Sequence, residues 1–392
     1  MSSSPLRIAA LAVGALGIDV VSTRQPYTET DDFVQGAVLD SRGRHWIIKA
    51  PKNPTAATIL EAEAALAPQL LDALRAGALP FDIMRPAGFV DLEEGGRAVA
   101  FPEPLGRPRA FTALPLEQIR SLGRGIASIH NLDPEVVARS GLPVYTGRQW
   151  ADRMAAELSQ AVLEVEIPPI LRRRWEAAFA DNDLWNFTPT VIHGDVASEN
   201  FLWSNGQLST VLGFGEAAVG DPARDLAQLL ELDDAEWTAF IESYENTRGF
   251  QLSDADFNRI VLTSEMAIVR WLLYGVRTHS EEIRNDAVQM LGDLADQVRW
   301  EPPLTEPASP GTAPAPQTEV QGPVTVIEPA AMAQTIPAPA PAPVSPKNAS
   351  PANGSPANAA AETSAETGAE TDAETSPETG VEPEKSAKNP SA

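Results

Sequence analysis

Val191-Ile192-His193-Gly194-Asp195-Val196-Ala197-Ser198-Glu199-Asn200-Phe201-Leu202-Trp203 is the stretch from which the rest of the chain can be read. An apolar pair, Val191 and Ile192, runs into a polar turn that holds a carboxylate, Asp195. Five residues later comes a carboxamide, Asn200, so one tight loop can present both groups to the same point. A turn at Ser204-Asn205-Gly206 and the segment Leu208 to Leu212 then predict a hairpin of two short strands, because Asn-Gly supplies the positive φ angles of a two-residue turn. Gly213-Phe214-Gly215 follows, and then Asp221-Pro222-Ala223-Arg224-Asp225. A carboxylate ahead of a proline at the first helical position is an N-cap pattern, which assigns Asp221 to capping.

His193-Gly194-Asp195 with Asn200, the hairpin, and Asp221 to Ala227 together resemble the small-molecule phosphotransferases of the aminoglycoside and macrolide resistance superfamily, structural relatives of the protein kinases. The approach segment, Pro169 to Glu176, Asp183-Leu184-Trp185 and Pro189-Thr190-Val191, is most similar to the macrolide-type branch. The likeness covers about residues 1 to 300, specific in the second half and generic in the first. It implies an α+β, two-lobed protein-kinase-like fold, with an antiparallel sheet and helix in the first lobe and a helical second lobe. In such a loop the Asp receives the proton of the attacking hydroxyl and the Asn holds magnesium. The resemblance therefore makes Asp195 the catalytic residue and Asn200 the metal ligand, with His193 structural and Asp225 bracing the loop. Its cofactors are ATP or GTP and Mg, and its partners are the nucleotide and a small-molecule hydroxyl substrate.

One departure outweighs the matches. Thirteen residues after Asn200, where the family has an Asp that bridges magnesium to the nucleotide phosphates, this chain has Gly213. Two readings follow. The first is a nucleotide-dependent O-phosphotransferase acting on a small natural product or antibiotic, macrolide or aminoglycoside-like, with Glu216 or Glu199 replacing the lost carboxylate. The alternative is a catalytically impaired, pseudokinase-like binding or regulatory module.

Composition removes other classes. A net charge of -25 repels nucleic-acid phosphates, and no basic run offsets it. No cysteine is present, so disulfides and thiolate chemistry are out, and four scattered histidines do not form a zinc pattern. No apolar stretch reaches the roughly 18 residues that a membrane-spanning helix needs. Residues 6 to 18 are apolar apart from Arg7, the one basic residue ahead of the apolar run, and Asp19 closes them with no cleavage segment following. They are expected to form a short helix on the first lobe of a cytoplasmic protein, with secretion as the alternative.

In the first lobe, residues 1 to 104, strands are predicted at Val20-Val21, Phe33 to Asp40, and His45 to Ala50. Lys49 ends the last of these ahead of a helix over 55–76, with Ile59, Leu66, Leu70 and Leu74 on one face. A kinase places its phosphate-gripping lysine at this point. Glu63 is the expected partner of Lys49, with Glu61 the runner-up. No glycine-rich loop precedes Lys49, so Tyr27 to Phe33 would have to cover the phosphates. Segments over 81–101 complete a five-strand sheet, and Pro102 to Gly106 reads as a hinge.

The second lobe, residues 105 to 300, reads as helices over 115–130, 147–165, 169–180, 222–232, 234–247, 254–279 and 280–299. Arg172, Arg173 and Arg174 are expected on a solvated face, Trp237 and Trp271 in the core. Residues 301 to 392 are rich in Pro, Ala, Glu and Thr and too poor in large apolar side chains to offset chain entropy. They are expected to be a disordered acidic tail, for which no partner can be named.

Overall fold

The computed structural model describes residues 5–30 and 32–305, with residues 25–29 as backbone only. The tail expectation falls, from residue 306 on, outside the described residues, as do the side chains of much of the segment from Tyr27 to Phe33.

Residues 6–18 do form a helix, α1 (Pro5–Leu16), whose Ile8 and Ala12 are buried against the first sheet. Strands β1 (Val20–Glu29), β2 (Phe33–Asp40) and β3 (His45–Pro51) then run antiparallel. Asn53 caps α2 (Pro54–Arg75), accepting the Ala56 N–H at 2.9 Å, and Pro54 sits where its missing N–H costs nothing. The short β4 (Asp82–Ile83) precedes β5 (Gly88–Asp91) and β6 (Arg97–Pro102).

Five strands form the sheet, in the order β1-β2-β3-β6-β5, but β4 is not among them. It pairs parallel with a later strand, Thr210 opposite Asp82, which ties the end of the first lobe to the hairpin that follows Asn200. The buried face of α2 is Leu60, Glu63, Leu66, Ala67 and Leu70, one position away from the expected Ile59. Ile59 itself abuts the turn after Gly213: a Cβ on Gly215 would meet its side chain at 2.4 Å.

The second lobe begins with β7 (Arg107–Pro108), α3 (Leu116–His130), α4 (Glu135–Ala138), α5 (Gly147–Glu164) and α6 (Pro169–Ala180). The central stretch follows as β8 (Thr190–Ile192), β9 (Phe201–Ser204), β10 (Gln207–Val211) and β11 (Ala218–Gly220). Asn205 and Gly206 both take positive φ, the turn the sequence predicts. The expected helix over 222–232 is shorter, α7 (Ala223–Leu226) followed by a 3₁₀ segment. Helices α8 (Asp234–Arg248), α9 (Asp254–Arg277) and α10 (Glu281–Gln297) close the lobe.

One apolar cluster runs from Leu66 and Leu70 of α2 through Ile119 and Ile126 of α3 to Phe201, Val211 and Phe214. The hairpin that follows Asn200 is thus packed into the same core as the helix that carries Glu63. Arg174 departs from the solvated face expected of it. It lies 3.0 Å from Glu265, which also accepts the Trp175 indole N–H at 2.6 Å, while Arg172 stays exposed beside Glu176. Trp237 and Trp271 are half-buried, stacked on Phe240 and Tyr274, rather than central in the core. Among the described residues no helix is long and apolar enough to cross a membrane.

Candidate active site

Strand β8 pairs with β11, Ile192 opposite Ala218, and this short ladder sets the start of the loop that carries His193, Gly194 and Asp195 beside the end of the turn after Gly213. Gly194 sits at φ +86°, and a Cβ there would come within 2.4 Å of the Glu216 carbonyl, so only glycine fits. Asp225 supports the loop from below, accepting the N–H of His193 at 2.7 Å and of Gly194 at 2.8 Å. Its buried carboxylate also meets His130 Nε2 at 3.0 Å, and His130 Nδ1 lies 2.7 Å from the Tyr244 hydroxyl. Burial alone would raise the Asp225 carboxyl, but these hydrogen bonds hold it below the usual range. Burial lowers His130, so a neutral imidazole donates from Nε2 and accepts from Tyr244.

His193 is a cross-brace. Its Nε2 donates to the Leu212 carbonyl at 2.7 Å, and its Nδ1 accepts the Asp195 N–H at 3.2 Å. Asp221 accepts the Ala223 N–H at 3.0 Å, as a cap does, and also meets Arg259 at 3.0 Å in a buried ion pair.

Lys49, on β3, places its Nζ 3.3 Å from Glu63 Oε2 and over the Phe33 ring. Glu61, the other candidate partner, pairs with Arg97. The second oxygen of Glu63 accepts the Gly213 N–H at 3.3 Å. Asn200 donates to Asp195 Oδ2 at 2.9 Å and to its carbonyl at 3.0 Å. The four residues singled out in the sequence therefore lie along one run of contacts, from Lys49 through Glu63 and Gly213 to Asn200 and Asp195.

Gly213 adopts φ +77°, a left-handed conformation that Asp tolerates better than most residues. A Cβ there would meet the Asn200 side-chain amide at 2.8 Å, so that amide fills the space a side chain at 213 would enter. Magnesium takes about six oxygen ligands and is usually bound through one or two carboxylates plus phosphate oxygens. Here Asn200 Oδ1 faces Gly213, but Glu63 is engaged by Lys49 and the Gly213 N–H, Glu216 turns to Arg224, and the exposed Glu199 meets Ser198. Among the described residues no three His, Asp or Glu side chains gather into a metal-holding group. The protein therefore offers Asn200 Oδ1 and, beside it, the Asp195 carboxylate toward a magnesium ion, and nucleotide phosphates would have to supply the remaining oxygens.

Glu216 turns to Arg224, within range of the Asp195 charge. Its carboxylate stands 3.6 Å from Arg224, whose Nε donates to the Gly194 carbonyl at 3.2 Å. Burial, reinforced by the charge of Asp195, pushes Glu216 up to about 8 despite Arg224. Between the ordinary value of 4.5 and about 8, the folded chain keeps a proton that the unfolded chain has released. This contribution to stability is complete below the unfolded value and is lost as pH rises through about 8. Glu216→Gln is therefore expected to flatten the fall in urea midpoint between about pH 4.5 and about pH 8. An unchanged profile in the variant would remove Glu216 from the site's proton balance.

Sequence reasoning gives Arg224 no role and overlooks Glu157 and Arg270. Arg224 lies inside a motif already singled out; nothing in the sequence marks the other two, which tertiary packing brings in from α5 and α9.

The phosphotransferase enzyme family (APH) model matches residues 35–258. The chain is 23% identical over 296 residues to the uncharacterized protein YcbJ of Bacillus subtilis (strain 168), covering 71% of this chain and 94% of that one. Over 104 residues it is 31% identical to viomycin phosphotransferase of Streptomyces vinaceus, covering 24% and 34%. Among solved structures, the macrolide 2'-phosphotransferase MphH of Brachybacterium faecium, an apoenzyme, superposes with a TM-score of 0.62 at 23% identity, over 74% of this chain and 98% of that one. The GDP and kanamycin complex of APH(2")-IIia gives 0.61 at 21%, over 75% and 99%. These likenesses show the kinase-like fold.

Proposed function

Since the chain belongs to the phosphotransferase enzyme family, we propose that its cleft binds ATP or GTP and that Asp195 presents a base to the hydroxyl of a small natural product, macrolide or aminoglycoside-like. The observation that carries this reading is that Lys49 pairs with Glu63, Glu63 takes the Gly213 N–H, and beside Gly213 the Asn200 amide holds Asp195. Lys49, steadied by Glu63, meets the phosphates; Asn200 aims the Asp195 carboxylate; Asp225 and His193 hold the loop. Catalysis of this kind is mostly alignment and charge neutralisation, which suits a site built from braced side chains.

Gly213 supports a second reading, in which the same cleft holds its ligand without turnover, because the carboxylate that would anchor a metal is missing. The two part in a thermal-midpoint measurement on the full chain with ATP or GTP, with and without magnesium, for wild type and Gly213→Asp. A ligand at about 100 times its Kd stabilises by roughly 2.7 kcal/mol. Magnesium-dependent stabilisation of wild type supports the enzyme and gives Asn200 its metal. Stabilisation seen only in Gly213→Asp leaves the binding module. That variant is expected to fold, at a cost on the order of 1 kcal/mol, since Asp tolerates the backbone angle and the Asn200 side chain can swing aside.

A further inference from the structure

We propose that Glu157, Glu216, Arg224 and Arg270 form an acceptor subsite beside Asp195, and that it takes a carboxylate or similar anionic group of the molecule whose hydroxyl Asp195 faces. This rests on the phosphotransferase reading of the cleft and narrows its substrate class.

The four side chains come from α5, the turn after Gly213, α7 and α9, and they reach the catalytic loop where Arg224 holds the Gly194 carbonyl. Side-chain exposures of 18% for Glu157, 14% for Glu216, 12% for Arg224 and 9% for Arg270 make the cluster largely buried, with a narrow edge open to solvent.

The two guanidiniums are under-neutralised. Arg270 is 3.4 Å from Glu157 and Arg224 is 3.6 Å from Glu216, whereas charge-assisted pairs close to about 2.7–2.9 Å. Elsewhere in the same lobe Arg174 and Arg259 sit 3.0 Å from their carboxylates, so the lobe can build tighter pairs. Glu216, with its raised carboxyl, holds its proton at neutral pH and does not offset Arg224. Burial and the neighbouring Arg224 push Arg270 down to about 10, the mark of a cation short of counter-charge.

Unmet donors point the same way. Arg270 Nε is buried with no hydrogen-bond partner, and so is Thr263 Oγ1, seven residues earlier on the same face of α9. Arg270 already spends one terminal nitrogen on the Thr263 carbonyl at 3.0 Å. A carboxylate has two oxygens and matches the fork of a guanidinium. Asp195 repels an anion, which leaves the anionic group to the two guanidiniums and the hydroxyl end to Asp195. Two crowded guanidiniums disfavour a polycation, so within the small natural products proposed above the subsite favours an acceptor with an anionic group over one of the aminoglycoside kind.

The test is calorimetric titration of the full chain, without nucleotide, using gluconate, glucose and glucosamine as anionic, neutral and cationic probes of one size. Gluconate is expected to bind tightest and glucosamine weakest. Arg270→Gln is expected to weaken gluconate by about tenfold or more, the loss typical of a charged hydrogen bond. Glu157→Gln releases Arg270 from its competitor and is expected to tighten gluconate severalfold; a purely structural role for the pair has no way to produce that gain. If Arg270→Gln fails to fold, the Glu157 variant still decides. Glucosamine binding as well as gluconate, no gluconate binding, or a gluconate affinity that Glu157→Gln leaves unchanged or weakens would each overturn the proposal. The nucleotide titration is separate: gluconate binding without a nucleotide effect defeats the phosphotransferase reading alone, and the reverse result defeats this subsite alone.

Discussion

Asp225→Ala is expected to lower the unfolding free energy by about 3–5 kcal/mol, the range for removing one partner from a buried charged network. The carboxylate accepts two consecutive backbone N–H groups, from His193 and Gly194, and faces His130. Alanine would leave three buried donors without partners, each costing about 1–3 kcal/mol, at a side chain that is fully buried. The measurement is a urea midpoint with its slope. Asp225→Asn gives the sharper comparison, since it keeps the volume and one acceptor oxygen and is expected to fall between wild type and alanine. A loss below about 1 kcal/mol for alanine would mean that the loop is held by its flanking strands alone.

Asp195→Asn is expected to leave the fold unchanged and to lower phosphoryl transfer by about 10²–10⁴-fold, the range for losing a general base. The substitution keeps shape and keeps an oxygen for the Asn200 amide, which donates to Asp195 at 2.9 Å. What it removes is the capacity to receive the hydroxyl proton. The check is turnover with nucleotide and acceptor at saturation, together with the thermal midpoint. An Asp195→Asn variant that transfers phosphate at the wild-type rate would move the proton acceptor elsewhere, with Glu216 the next carboxylate to examine. A thermal midpoint lowered along with the rate would point to a structural cause.

The hairpin that follows Asn200 is legible in the sequence because its signals are local. Asn205-Gly206 dictates the turn, and the apolar run into Gly194 dictates the loop. The helix over 55–76 is legible from its apolar repeat, yet its buried face differs from the expected one by a residue. Periodicity alone cannot tell which edge of a helix a second lobe will cover, and Ile59 meets that lobe while Leu60 enters the core. The place of β4 outside the five-stranded sheet is hidden for a related reason: two residues carry no pairing preference of their own, and the parallel partner lies about 130 residues downstream. Arg174 reads as solvated because charge runs usually are, and only the fold brings Glu265 and Trp175 around it.

By itself the sequence determined the α+β order of elements, the loop that carries Asp195 and Asn200, the strand end that carries Lys49, and the absence of a carboxylate at 213, since each depends on residues within a few positions of one another. Tertiary structure alone decided that Glu63 reaches both Lys49 and the Gly213 N–H, that the Asn200 amide fills the space above Gly213, and that Glu216 turns toward Arg224. These outcomes depend on which side chains meet across distant elements, where burial and charge act over a few ångströms of space regardless of separation along the chain.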